Sequence, residues 1–195
     1  MTEFARLAGP APLEYRYALD AAMPVLASAG PPLVLCNVPE LEHEVRQRVA
    51  QRAGAARVDA ALWVEPLLQS WQVDLAFLSD VLSEGGPLVV VASRPLARTL
   101  PERRPWGGHP LGFAPGGVWR LRRALTPAGL TLEGTYGLHA APAVWLSLLS
   151  RLAERWGRPD LGDRLHFAAR LRYCASGRLA AWSTVALLVA RKEYA

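Results

Sequence analysis

Three short, nearly continuous apolar runs, 33–38 (LVLCNV), 58–64 (VDAALWV) and 87–92 (PLVVVA), restrict what this chain can fold into more than any other feature. A run without polar alternation is the pattern of a strand covered on both faces, as in a parallel sheet. The stretches between the runs are helical in pattern. Residues 39–53 open on Pro and acids, continue with good helix formers and stop before Gly54, the asymmetry expected of helix ends. Residues 66–83 place Leu67, Trp71, Leu75, Leu78 and Leu82 on one stripe. Strand, helix and strand in that order make a parallel crossover.

The remaining pattern extends this alternation. Residues 12–28 read as a helix kinked or ended by Pro24, 118–125 as a short helix closed by Thr126-Pro127-Ala128-Gly129, and 130–138 as a strand. Helices follow over 142–156 and 161–174, and 182–190 is the last strand. The expected class is α/β, an open, mostly parallel sheet with helices on both faces. Ligands of such sheets bind beyond the carboxyl ends of the strands. That directs attention to 37–40, 65–67, 93–94 and 138–140.

At 195 residues the chain is expected to form a single domain, 1–195. No apolar run reaches the roughly 18 residues of a membrane-spanning helix. The first residues lack a basic start and an apolar stretch, so the cytoplasm is the expected location. Cys36 and Cys174 lie among apolar neighbours and read as buried thiols. Four scattered histidines and two distant cysteines offer no metal cluster, and no G-x-S-x-G turn occurs.

The net charge is +5, and Lys192 is the only lysine. Arg94, Arg98, Arg103, Arg104, Arg120, Arg122 and Arg123 face Glu102 alone within 94–123, so this segment carries the whole excess. With Trp106 and Trp119 interleaved, these arginines form a candidate surface for phosphates, an acidic partner or an anionic membrane. No nucleic-acid motif accompanies them, so specific recognition of DNA or RNA is not expected. Residues 94–117, rich in Pro, Gly and Arg, read as a long basic loop, a candidate lid or binding segment.

Several motifs from residue 58 onward share one order. A strand with an acidic start (VDAALWVEPLL) is followed by a helix ending in Ser83-Glu84-Gly85-Gly86 and the apolar strand 87–92. Leu125-Thr126-Pro127-Ala128-Gly129-Leu130 leads into the next strand, and WSTVALLVARK closes the chain. Over about 58–192 this resembles the carboxyl-terminal half of class I S-adenosylmethionine-dependent methyltransferases. The resemblance implies a Rossmann-like fold whose last strand inserts antiparallel, and S-adenosylmethionine as cofactor without a metal.

Residues 1–57 depart from that pattern. Only Gly9, Gly30 and Gly54 precede Gly85, so the glycine-rich cofactor turn of the family is missing, and one strand signal stands where the family has three. The fold is therefore expected to be truncated, with 1–57 as its shortened and degenerate part. If 33–38 matches the family's second strand, Asn37 takes the position of the ribose-binding carboxylate, with Glu40 nearby. If it matches the first, residues 37–40 replace the glycine turn. Either way a cofactor contact is lost. Trp63 falls on a core-facing position, and is the ring that would otherwise stack on the cofactor's adenine. Glu65, where the family often places acceptor-side groups, and His139, just beyond a strand, are the candidate catalytic residues, with His109 a further candidate base.

The first expectation is a methyltransferase-like protein whose cofactor half has degenerated, a non-catalytic binding or scaffolding subunit. The alternatives are an active small S-adenosylmethionine-dependent methyltransferase, its site completed by other contacts or by dimerisation, and an electrostatic binder of nucleic acid or an anionic surface. A shortened sheet leaves an edge or apolar face near 33–38, so self-association or a permanent protein partner is expected.

Overall fold

The apolar runs pair as parallel strands. The protein is described from a computed structural model over residues 6–8, 12–38, 57–99, 103–105, 108–171, 174–176 and 180–194. Strands β1 (Arg6–Ala8) and β5 (Arg103–Pro105) form a small antiparallel pair. The main sheet contains β2 (Leu33–Cys36), β3 (Ala61–Val64), β4 (Pro87–Ser93), β6 (Leu130–Ala140), β7 (Cys174–Ser176) and β8 (Ser183–Lys192), in the spatial order β2-β3-β4-β8-β6-β7. Helices α1 (Pro12–Ala27), α2 (Trp71–Val81), α3 (Gly117–Leu125), α4 (Ala141–Arg155) and α5 (Pro159–Leu171) surround it.

Strands β2, β3 and β4 are mutually parallel, while β8 pairs antiparallel with both β4 and β6. Strand β6 therefore runs in the direction of the first three, and the closing strand inserts antiparallel as the methyltransferase resemblance implies. Among the described residues β2 and β7 are the two edge strands of the main sheet, and β2 is the edge of the parallel half. Every residue of β3 and β4 is buried, which is why these strands are written as unbroken apolar runs.

Alternation sends the two sets of side chains to opposite faces. Leu62, Val64, Val89 and Val91 meet Ala18, Ala22 and Leu26 of α1 on one face. Trp63, Leu88 and Val90 meet Leu75 and Leu78 of α2 and Leu121 and Leu125 of α3 on the other. Each such fully buried Leu or Val contributes about 1.5–3 kcal/mol. The turn Gly85-Gly86 joins α2 to β4. Gly85 has φ +73, and a Cβ on Gly86 would lie 2.8 Å from the Asp59 carbonyl oxygen, so both positions exclude larger residues.

Four boundaries differ from the sequence reading. The helix expected from residue 66 starts at Trp71, because the backbone of 66–68 is paired with 109–111 instead. The run 58–64 becomes a strand only at Ala61, with Val58 making a single bridge to Leu82. The segment 94–117 is not one loop: it contains 3-10 turns at Pro95–Thr99 and Leu111–Phe113 as well as β5. The last helix ends at Leu171, and 174–176 add an edge strand to β6. The helix read over 39–53 lies outside the described residues.

Helices α4 and α5 form a hairpin of unusual composition. Its buried positions are small (Ala143, Ser150, Ala153 and Ala169), and Ser150 Oγ donates to the Gly162 carbonyl at 2.9 Å. Its large residues point outward. Trp145, Leu148, Leu149, Leu152 and Trp156 are all exposed, Trp156 by 74%. No described helix is long and apolar enough to cross a membrane.

Candidate functional site

The carboxyl ends of the three parallel strands are tied together by side chains. Asn37, immediately after β2, donates its Nδ2 to the Glu65 carbonyl at 3.1 Å, and its own N–H donates to the Val64 carbonyl at 3.0 Å. Glu65, immediately after β3, is fully buried. Its carboxylate accepts the Ser93 N–H on Oε1 at 3.0 Å and on Oε2 at 3.1 Å, and the Ser93 hydroxyl on Oε1 at 2.8 Å. Ser93, the last residue of β4, is equally buried. A buried carboxylate requires such donors, because an ionised group without them carries a large desolvation cost.

The mouth above these residues is covered by the protein's own chain. Leu68 N–H donates to the His109 carbonyl at 2.8 Å and Leu111 N–H to the Pro66 carbonyl at 2.7 Å, enclosing a bridge between Leu67 and Pro110. Leu111, Gly112 and Phe113 are buried beneath this contact. Gly112 lies flat on β4: a Cβ there would fall 1.6 Å from the Ser93 carbonyl oxygen. His109 itself is exposed, its ring edge-on to Phe113 with centroids 6.4 Å apart.

Glu65 and His139 are the two non-glycine residues with positive φ among those described, at 58° and 52°. Such backbone costs about 1–3 kcal/mol and survives only where the surroundings impose it. At Glu65 the following Pro66 makes the conformation still less expected from sequence. The two candidate catalytic residues are not brought together. Strands β4 and β8 separate their strands, about 14 Å at ordinary strand spacing.

Trp63 is fully buried between the sheet and its α2/α3 face, where the sequence placed it. Glu40 lies outside the described residues. Of the side chains nominated for S-adenosylmethionine, Asn37 bonds the Glu65 carbonyl and Trp63 is sealed in the core, so neither is turned toward a cofactor. Nor do the described residues contain a cluster of three metal-ligating side chains. Cys36 is a half-buried thiol that donates to the Val38 carbonyl at 3.6 Å.

The arginines separate into two kinds. Arg98, Arg120, Arg122 and Arg123 are exposed, and Arg123 stacks on Trp119 at 4.6 Å. The side chains of Arg103 and Arg104 lie outside the description. Arg94, next to Ser93, is half-buried, and its Nε is enclosed without a hydrogen-bond acceptor. Ser93 and Arg94 fall in the region the sequence singled out, but nothing in the sequence marks Ser93 as the partner of Glu65.

Two cavities lie away from this mouth. One of about 620 Å³ opens between α2 and the 127–129 turn, where Lys192 Nζ donates to Ser79 Oγ at 2.8 Å. The other, about 340 Å³, lies between α1 and β6/β8 and is lined by Ala21, Val25, Tyr136, Leu138, Leu187 and Glu133 among others.

No family model matches the sequence, and no curated protein matches it. Among solved structures the chain is similar to the CcbJ methyltransferase from Streptomyces caelestis, with 16% identity and a TM-score of 0.49 over 96% of this chain and 92% of that one. It is also similar to the [4+2]-cyclase SpnF, with 16% identity and a TM-score of 0.41 over 100% and 88% of the two chains. A third is the mycolic acid cyclopropane synthase CmaA1 complexed with SAH and CTAB, with 13% identity and a TM-score of 0.43 over 89% and 84%.

Proposed function

We propose that this protein is a non-catalytic, methyltransferase-like binding subunit. The observation that carries the reading is the carboxylate of Glu65, turned inward onto Ser93 beneath a mouth closed by the 109–113 segment. A group that orients or deprotonates an acceptor must reach it within hydrogen-bond distance. Glu65 instead holds the ends of β3 and β4 together. The sequence adds that no glycine pair precedes Gly85, where a cofactor turn would stand.

The exposed row on α4 supports the binding half of the reading. A contiguous apolar surface of this kind marks an interaction site more often than a solvated face. Partner and protein would meet there, either as two copies of this chain or as this chain and another.

Calorimetric titration with S-adenosylmethionine and S-adenosylhomocysteine tests the proposal. No heat is expected from either. Saturable binding that Asn37→Ala weakens would overturn it and restore the enzyme reading.

A further inference from the structure

The cavity of about 620 Å³ between α2 and the 127–129 turn lies at the other end of the sheet from the mouth. Lys192, which lines it, pairs with Leu130 at the start of β6, and its neighbour Arg191 pairs with Pro87 at the start of β4. The length of β4 separates Pro87 from Ser93, about 20 Å of extended chain.

The cavity follows from what faces it. Leu75, Ala76, Ser79 and Asp80 recur at helical spacing and make one stripe along α2. Across from them stand Ala124, Ala128 and Gly129, whose side chains are too small to close the gap.

The polar end is fixed in place. The N–H of Lys192 donates to the Gly86 carbonyl at 2.9 Å, and its carbonyl accepts the Gly85 N–H at 3.0 Å. Its Nζ donates to Ser79 Oγ at 2.8 Å, and the buried Ser79 hydroxyl gives its own hydrogen to the Ala128 carbonyl at 2.5 Å. One of three ammonium hydrogens thus meets a neutral oxygen, and the other two have no acceptor among the described residues. Glu193, next in the chain, accepts the Thr131 hydroxyl at 2.6 Å instead. Among the described lining residues the one other charged side chain is Asp80, which is exposed and makes no bridge to Lys192.

We propose that this cavity binds an α-amino acid with an apolar side chain. A cation and an anion that line one cavity without meeting suit a ligand that carries both charges. The carboxylate takes the remaining hydrogens of Lys192, and the ammonium turns to Asp80. Leu75 and Ala76 stand one helical turn before Ser79 and Asp80, about 6 Å along the axis, which a leucine or phenylalanine side chain spans. That side chain lies between Leu75, Ala76 and Ala124. The site shares no residue with the mouth and does not rest on the reading given for it.

Equilibrium dialysis of the full chain against radiolabelled phenylalanine tests the site, with leucine, 3-phenylpropionate and phenethylamine as competitors. Saturable binding that leucine displaces is expected. Phenethylamine, which lacks the carboxylate, should compete about tenfold more weakly or worse, and phenylpropionate, which lacks the ammonium, about threefold more weakly. Lys192→Met should weaken phenylalanine by about tenfold or more. Asp80→Asn should weaken it about threefold and erase its advantage over phenylpropionate. Because Lys192→Met also removes the bond to Ser79, Ala76→Phe supplies a second variant. It fills the cavity from an exposed helical position, keeps that bond, and should abolish binding with urea unfolding unchanged.

No saturable binding of either amino acid overturns the proposal, and so does binding that survives Lys192→Met or Ala76→Phe. An advantage over phenylpropionate that survives Asp80→Asn overturns the place given to the ammonium. Heat from S-adenosylmethionine that Lys192→Met removes and Asn37→Ala does not would belong to this cavity and leave the reading of the mouth intact.

Discussion

The carboxylate of Glu65 receives both the backbone N–H and the hydroxyl of Ser93, at 3.0 and 2.8 Å, with both residues fully buried. The pair does at the strand ends what a ladder bond does within the sheet. Because Glu65 has left the extended conformation, at φ 58°, its side chain takes over the bonding of the next strand. Asn37 extends the same chain of bonds to β2.

Glu65→Gln should therefore destabilise the fold by about 2–3 kcal/mol, because an amide N–H₂ would face donors that now have acceptors. Ser93→Ala, which removes one of the three bonds and keeps the backbone donor, should cost about 1 kcal/mol. Urea unfolding of both variants and of the double variant measures their coupling. Additive effects would mean that the two side chains do not act as a unit.

Gly112 is the contact on which the cover of the mouth depends. Any Cβ there meets the Ser93 carbonyl oxygen at 1.6 Å, and backbone cannot move aside as a long side chain can. Gly112→Ala should lift the 109–113 segment at a cost of about 3 kcal/mol. Hydrogen exchange should then accelerate at the Leu68 and Leu111 amides, which donate across that contact, while the amides of β4 stay protected. Unchanged protection at both would remove the segment from its role as a cover.

The layers of this fold were legible because they follow from burial. Runs such as 87–92 are apolar at every position since β4 is covered on both faces, and Gly85-Gly86 is readable as a turn because no other residue fits it. The site was legible only by location. Glu65 precedes a proline, which disfavours helical backbone at that residue, so its positive φ has no local signal. The pairing of 66–68 with 109–111 joins segments some forty residues apart, each holding a proline, which locally suggests an open loop. The same pairing displaced the start of α2 to Trp71, since backbone bonded to another segment cannot enter a helix.

Arg94 makes a prediction about pH. Its folded pKa, lowered by burial first and by Arg122 second, is about 10, well below that of the free side chain. Between those values the unfolded chain holds the proton more tightly than the folded one, so the contribution of Arg94 to stability rises with pH. Below about pH 10 both states are charged and the full penalty of enclosing the cation is present. The excess stability of Arg94→Met over the wild type, measured by urea midpoints, should therefore be constant from pH 7 to 9 and shrink above pH 10. A difference that widens there would assign the opposite sign to Arg94.

The α4–α5 hairpin makes the last prediction. Ala143, Ser150 and Ala153 let the two helices approach closely, and the larger residues are left on the outer surface, where they contribute little to the monomer. Leu148, Leu149, Leu152 and Trp145 are spaced along one side of α4, so two charges placed there interrupt the whole row. Leu149→Asp with Leu152→Asp should leave urea unfolding of the monomer within about 0.5 kcal/mol of the wild type, as exposed substitutions do. The same pair should shift the sedimentation of the wild type from an assembled to a monomeric species, or abolish capture of its protein partner. A variant that unfolds early would show instead that the row is packed within the monomer. A variant that folds normally and assembles as before would move the interface to another face, with the free edge of β2 the next to be tested.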